Sequence, residues 1–236
     1  MAGGKISPRQ KMINLMYLVF IAMLAMNMSK EVLSAFGFMN EKLSDNNTST
    51  TQKNNSAYAN LSQKAKDQAE KFGPLNEKAN KIKALSSSFY NYLGAIKTKM
   101  TAELEDKQAY ESMDKTDFLD NYFFKGDKYT KEGQEFVDQI NGFNSGVKSA
   151  LGKEASAFSG VLDKRFNTAE KTNKDGKKIP WLDYHYKGFP MVASLTNFTQ
   201  MQADIKNTES DILTSLLGGQ LEADSKITTN NYQGIV

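Results

Sequence analysis

The chain has 236 residues, no cysteine and a single histidine, His185. That composition excludes disulfides and thiolate metal sites, and leaves His185 as the one imidazole for a nucleophile–base pair. The formal charge of +3 equals the three basic residues of the first 11 positions, Lys5, Arg9 and Lys11, so the remainder is balanced and carries no basic footprint for nucleic acid.

The first predicted element begins at Ser7-Pro8-Arg9-Gln10. Ser7 suits a helix cap, Pro8 the first helical position, and Gln10 can reach back to complete a capping box. Residues Met12 to Met28 then carry no formal charge. As a helix rising ~1.5 Å per residue they cover ~25 Å, near the lower limit for crossing a bilayer core of ~30 Å. The basic residues ahead of this run place residues 1–11 in the cytoplasm and everything after Ser29 outside the inner membrane. A cleaved signal peptide would share the basic start and the apolar core. Here the core is longer than usual, small residues are not cleanly placed after it, and helical periodicity continues through Val32, Leu33, Phe36, Met39 and Leu43. We therefore read an uncleaved anchor, with residues 12–28 in the membrane and one helix over 8–43.

Arg9 sits in the first turn of that helix, where the backbone is already partly positive. Lipid phosphate can answer the charge, and so can a carboxylate on a neighbouring membrane helix. At 100° per residue, Arg9, Met16, Phe20 and Asn27 share one stripe. Asn14, Ala22 and Ala25 lie roughly opposite, with Tyr17 between. Polar and small groups on two faces suit protein neighbours on more than one side, although amides near both ends also suit the membrane interface.

Residues 45–55, DNNTSTTQKNN, lack an apolar anchor and read as a loop. Tyr58, Leu61, Ala65, Ala69 and Phe72 predict a helix ending near Gly73-Pro74. Leu75, Ala79, Ile82, Leu85, Phe89, Leu93, Ile96, Met100 and Leu104 predict a rod of ~45 Å that needs bundle partners. Asp106 to Thr130 reads as a short helix and a loop around Lys125-Gly126-Asp127. Phe136 to Leu151 predicts another helix, and Phe158, Leu162 and Phe166 extend it or start a further one. Residues 171–178, KTNKDGKK, form a charged turn at Asp175-Gly176. Ile179 to Pro190 is aromatic and irregular, and reads as a clamp over the bundle end in preference to a binding cage. A last long helix runs from Met191 and stops at Gly218-Gly219. Lys226 to Val236 is strand-like in composition.

The fold class is thus all-α: a single N-terminal transmembrane helix followed by a helical bundle over residues 29–221, with 222–236 opening a linker or a further β-rich domain. No HExxH, Walker, GxGxxG or GxSxG motif occurs, and no metal or cofactor site is expected. The apolar run also lacks Asp and Glu, so a proton relay through it would need a titratable group on a partner. An interaction or mechanical role is expected in place of catalysis.

Residues 5–36, KISPRQKMINLMYLVFIAMLAMNMSKEVLSAF, closely resemble the N-terminus of the GldM/PorM family. Residues 188–213 resemble the end of that family's first periplasmic domain. The resemblance implies an inner-membrane subunit of the gliding and type 9 secretion machinery. It implies two such helices inside a five-subunit ring of the polytopic protein GldL, hence a homodimer, with proton flow turning one component within the other. It also implies β-rich domains beyond residue 236 that reach further secretion components. A GldL glutamate would carry the proton and Arg9 would be its counter-charge, with Tyr17 and Asn14 as weaker polar contacts; Asn27 joins them as a polar intramembrane contact from the helix faces alone. The alternative from the residues alone is a passive membrane-anchored scaffold or sensory helical bundle.

Overall fold

A computed structural model of the chain describes residues 7–26 and 30–232, with side chains over 7–21 and 30–218. Helix α1 spans Pro8–Met26. The Ser7 hydroxyl accepts from the Gln10 amide N–H at 3.3 Å, so Ser7 caps as expected. The Gln10 side chain does not complete a capping box; it runs forward and donates to Asn14 Oδ1 at 3.2 Å. Every described side chain of α1 is exposed, including Met16 at 70 % and Phe20 at 60 %.

Among the described residues no helix is long and apolar enough to cross a membrane. The expected span over 12–28 passes beyond Met26 into residues 27–29, and the expected single helix over 8–43 passes through the same gap. Both expectations therefore lie partly outside the described residues.

Four long helices build the bundle: α2 (Lys30–Asp67), α3 (Ala69–Met100), α5 (Lys131–Leu151) and α8 (Met191–Tyr232). Between them lie α4 (Asp117–Phe123), α6 (Ala155–Arg165) and α7 (Trp181–Tyr186). Two small antiparallel hairpins complete the fold. In one, β1 (Phe124–Lys125) pairs with β2 (Lys128–Tyr129); in the other, β3 (Lys171–Thr172) pairs with β4 (Lys178–Ile179). The all-α reading of the bundle holds.

The apolar stripe of α3 explains why that helix forms and which way it faces. Leu75, Ala79, Ile82, Ser86, Phe89, Leu93, Ile96 and Met100 are buried at strictly alternating steps of four and three. That is the 3.5-residue period of packed helices. Ser86 takes the place in the stripe expected for Leu85, which lies half-buried at the flank beneath Gly146. Leu104 falls past the helix end.

Helix α8 is the centre of the bundle. From Val192 to Thr196 every side chain is buried, and burial continues through Phe198, Met201, Ile205, Ile212 and Leu216. Phe123, Phe136, Tyr186 and Phe198 close one end, with Phe123 and Phe136 stacked at 5.1 Å between centroids and Tyr186 and Phe198 also at 5.1 Å. This cluster ties α4, α5, α7 and α8 together, as the aromatic clamp required. The clamp contains a short helix, α7, where irregular chain was expected.

Three other expectations are corrected. Residues 45–55 are not a loop but the middle of α2, because buried amides replace the apolar anchors there. The turn after α2 comes at Gln68, not at Gly73-Pro74, and Pro74 lies within α3. Its missing N–H falls in the second turn, so only one backbone bond is forfeited. Gly218-Gly219 does not stop α8, and 226–232 are helical, not extended. Once a helix is nucleated by packing, each added residue costs little, and even a glycine adds only ~1 kcal/mol.

Candidate coupling site

The expected site residues sit on α1. Arg9, Asn14 and Tyr17 are exposed. Asn14 is engaged by Gln10, one turn earlier. The structure brings Ser7, Gln10 and Asn14 together by short bonds but joins neither Arg9 nor Tyr17 to them. Asn27 lies outside the described residues. Among the described residues, nothing in the bundle covers the apolar surface of Met12 to Ile21.

A second feature lies inside the bundle. Along α2, Leu33, Asn40, Asn47, Asn54 and Leu61 recur every seven residues. Leu33, Asn47, Asn54 and Leu61 are buried, and Asn40 is half-buried. The side-chain amide of Asn47 donates to the Thr199 carbonyl at 3.1 Å. That of Asn54 donates to the Lys206 carbonyl at 2.9 Å. The two acceptors are also seven residues apart, and they advance in the same sense as the donors. Helices α2 and α8 therefore run parallel, in the register of a two-stranded coiled coil.

The bonds between these helices continue on both sides. Thr199 Oγ1 lies 2.6 Å from Asn40 Oδ1 and 3.0 Å from the Leu195 carbonyl, so its one proton serves one of them at a time. Nearer the start of α2, the Thr196 hydroxyl reaches the Phe36 carbonyl at 3.0 Å. At the far end, the Tyr58 hydroxyl donates to Glu209 at 3.0 Å. Burial first, then the Glu209 charge and this bond, push the Tyr58 pKa well above the ordinary phenol value.

Helix α3 runs antiparallel along the same seam. Lys97 Nζ donates to Thr199 Oγ1 at 2.7 Å and to Gln202 Oε1 at 3.1 Å. Gln202 Nε2 in turn donates to the Tyr90 carbonyl at 3.1 Å. Desolvation lowers the Lys97 pKa to about 8. Lys206 pairs with Glu209 at 2.8 Å, both buried, and stands 5.1 Å from the centre of the Tyr90 ring.

Such a seam is a poor source of net stability. A buried ion pair roughly breaks even against apolar packing, while removal of one partner costs ~3–5 kcal/mol. Buried asparagines at seven-residue spacing are best attested as register devices. A slip of one residue would move the helices ~1.5 Å and break the asparagine–carbonyl bonds together. The two bonds therefore fix the axial register of α2 against α8. Sequence reasoning missed Asn47 and Asn54 because amides carry no hydropathy signal. The signal that could have found them is the seven-residue spacing between Leu33 and Leu61.

A family model described as the GldM N-terminal domain matches residues 31–219, a span that includes the whole seam. No curated protein matches the chain.

Proposed function

Because the chain belongs to the GldM family, a component of the gliding and type 9 secretion machinery, we propose that it is the single-span subunit of a proton-driven inner-membrane motor. In this reading residues 12–28 cross the membrane, residues 1–11 are cytoplasmic and the bundle is periplasmic. Two copies stand within a ring of a polytopic, GldL-like partner. A partner carboxylate takes the proton and Arg9 answers its charge. Motion of the membrane helix reaches α2 and passes through the seam to α8, which carries it onward.

One observation carries the reading: α2 and α8 run parallel and are pinned carbonyl by carbonyl through Asn47 and Asn54. A tethered domain needs only a stable core, whereas a transmission element needs a register that does not slip. The exposed apolar side chains from Met12 to Ile21 support the membrane assignment, because so much uncovered apolar surface calls for lipid or protein around it. The absence of Asp and Glu from Met12 to Met28 supports a proton carrier on the partner.

The test is reversible collapse of the proton gradient in cells carrying the full-length protein, with gliding and secretion followed together. Both stop and then recover on restoring the gradient if the chain belongs to a proton-driven motor. Continued output without a gradient leaves only a scaffold.

A further inference from the structure

Phe166 and Trp181 are buried, but no side chain of residues 167–180 between them is. This stretch adds nothing to the core, yet it holds a definite shape. Strand β3 pairs with β4. The Asn173 side chain closes the turn between them, accepting from the Asp175 amide at 3.0 Å and from the Lys177 amide at 2.8 Å. Gly176 supplies the positive φ of 78° that the turn needs.

What the hairpin presents is charge. Residues 164–178 hold six basic residues against two acidic ones, although the chain beyond its first 11 residues is balanced. The carboxylates around it are engaged within the fold. Arg165 holds Asp211 at 2.8 Å and Thr208 at 2.9 Å. Lys148 holds Asp163, Lys178 stands 3.9 Å from Glu170, and Gln200 donates to Asp204 at 3.1 Å. Asp175 accepts a long bond from the Asn173 amide at 3.4 Å. Lys164, Lys171, Lys174 and Lys177 are in no ion pair among the described residues. Guarding a strand edge does not account for them, because Lys174 and Lys177 lie in the turn and in neither two-residue strand. On α7, which follows the hairpin directly, Tyr184 is 45 % exposed and meets His185 edge-on at 5.1 Å.

We propose that the β3–β4 hairpin docks an acidic segment of another protein. Lys171, Lys174 and Lys177 meet its carboxylates, and Tyr184 offers an aromatic anchor beside them. Anionic lipid carries the same sign of charge but lies too far away. Arg165, at the root of the hairpin, binds Thr208 of α8, whereas Thr196 of α8 meets Phe36 of α2. Counted along these parallel helices at ~1.5 Å per residue, the root stands roughly 27 Å from the start of α2, where the proposed orientation puts the bilayer. Physiological salt screens exposed charges within ~8 Å. The exclusion of lipid rests on that orientation; the docking does not.

The full chain in detergent is titrated with a labelled peptide of alternating glutamate and alanine, and with its glutamine counterpart. The glutamate peptide binds saturably and weakens as salt rises from about 50 to about 300 mM, and the glutamine peptide does not bind. Lys174→Glu with Lys177→Glu weakens the glutamate peptide roughly tenfold or more. The thermal midpoint is unchanged, because both side chains are exposed. Lys42→Glu with Lys53→Glu, at exposed positions on α2, leaves binding as it was. No saturable binding of the glutamate peptide overturns the proposal, and so does equal binding of the glutamine peptide. An equal loss in the two double variants overturns it as well, since attraction is then spread over the whole surface. Binding kept in phosphatidylcholine nanodiscs but lost in phosphatidylglycerol ones gives the hairpin to lipid, which overturns the proposal and the orientation together.

Discussion

Asn54, on the helix that follows the N-terminal apolar run, donates its side-chain amide to the backbone carbonyl of Lys206, on the helix that leaves the bundle, across 2.9 Å. Seven residues earlier on both helices, Asn47 and Thr199 repeat the bond at 3.1 Å. Each acceptor lies within the helical backbone of α8, so these bonds are made beyond those that hold the helix. Their repetition fixes how far α2 has advanced along α8, a quantity that apolar packing alone specifies loosely.

Replacing either asparagine with alanine should destabilise the bundle by ~1–2 kcal/mol, the sum of a lost buried hydrogen bond and a small void. Asn→Leu at both positions removes the amides without leaving the same void, so stability should fall less than in the double alanine variant. Secretion should fall more than stability does. Urea unfolding of the purified protein, set beside secretion in cells, checks both.

Gly37 and Gly142 should respond oppositely to alanine. A Cβ at Gly37 would collide with the Tyr110 ring, whose hydroxyl donates to Glu41 at 3.2 Å. A Cβ at Gly142 meets nothing within 4 Å. Gly37→Ala should therefore cost ~1–3 kcal/mol through overpacking, and Gly142→Ala should add ~0.5–1 kcal/mol by lowering the freedom of the unfolded chain. Thermal unfolding of the two variants in parallel reads the sign of each.

Lys97 makes stability depend on pH in a stated direction. Its folded pKa is about 8, below the ordinary lysine value of 10.5, because burial disfavours the charged form. Between these values the unfolded chain binds more protons than the folded one, so this group's contribution rises with pH across that window and is flat below it. The tyrosines with raised pKa values, among them Tyr58 and Tyr186, act oppositely as pH passes 10. The difference between the wild type and Lys97→Met isolates the lysine. It should move in favour of the wild type from pH 8 to pH 10.5. A difference that is constant over this range contradicts the assignment.

Much of the bundle was legible in the sequence, for a physical reason. The α3 stripe, the α8 stripe as far as Leu216 and the aromatic clamp are apolar, and apolar burial leaves a period in the chain. The central part of α2 was not legible, because Asn47 and Asn54 are buried by virtue of partners more than 150 residues away. The turn at Gln68 has no glycine or proline to mark it, while Pro74, which looks like a marker, is absorbed into α3. Of the expected site on α1, the Ser7 cap was readable from local chemistry. The role proposed for Arg9 would depend on a neighbour in another chain, which a single sequence does not record.

Replacement of Arg9 with alanine in the full-length protein, with gliding and secretion followed while the membrane complex is purified and its chains counted, tests whether this guanidinium couples proton flow to motion. If it does, output is lost while the complex assembles with its normal composition. Wild-type output from a normally assembled complex would contradict it.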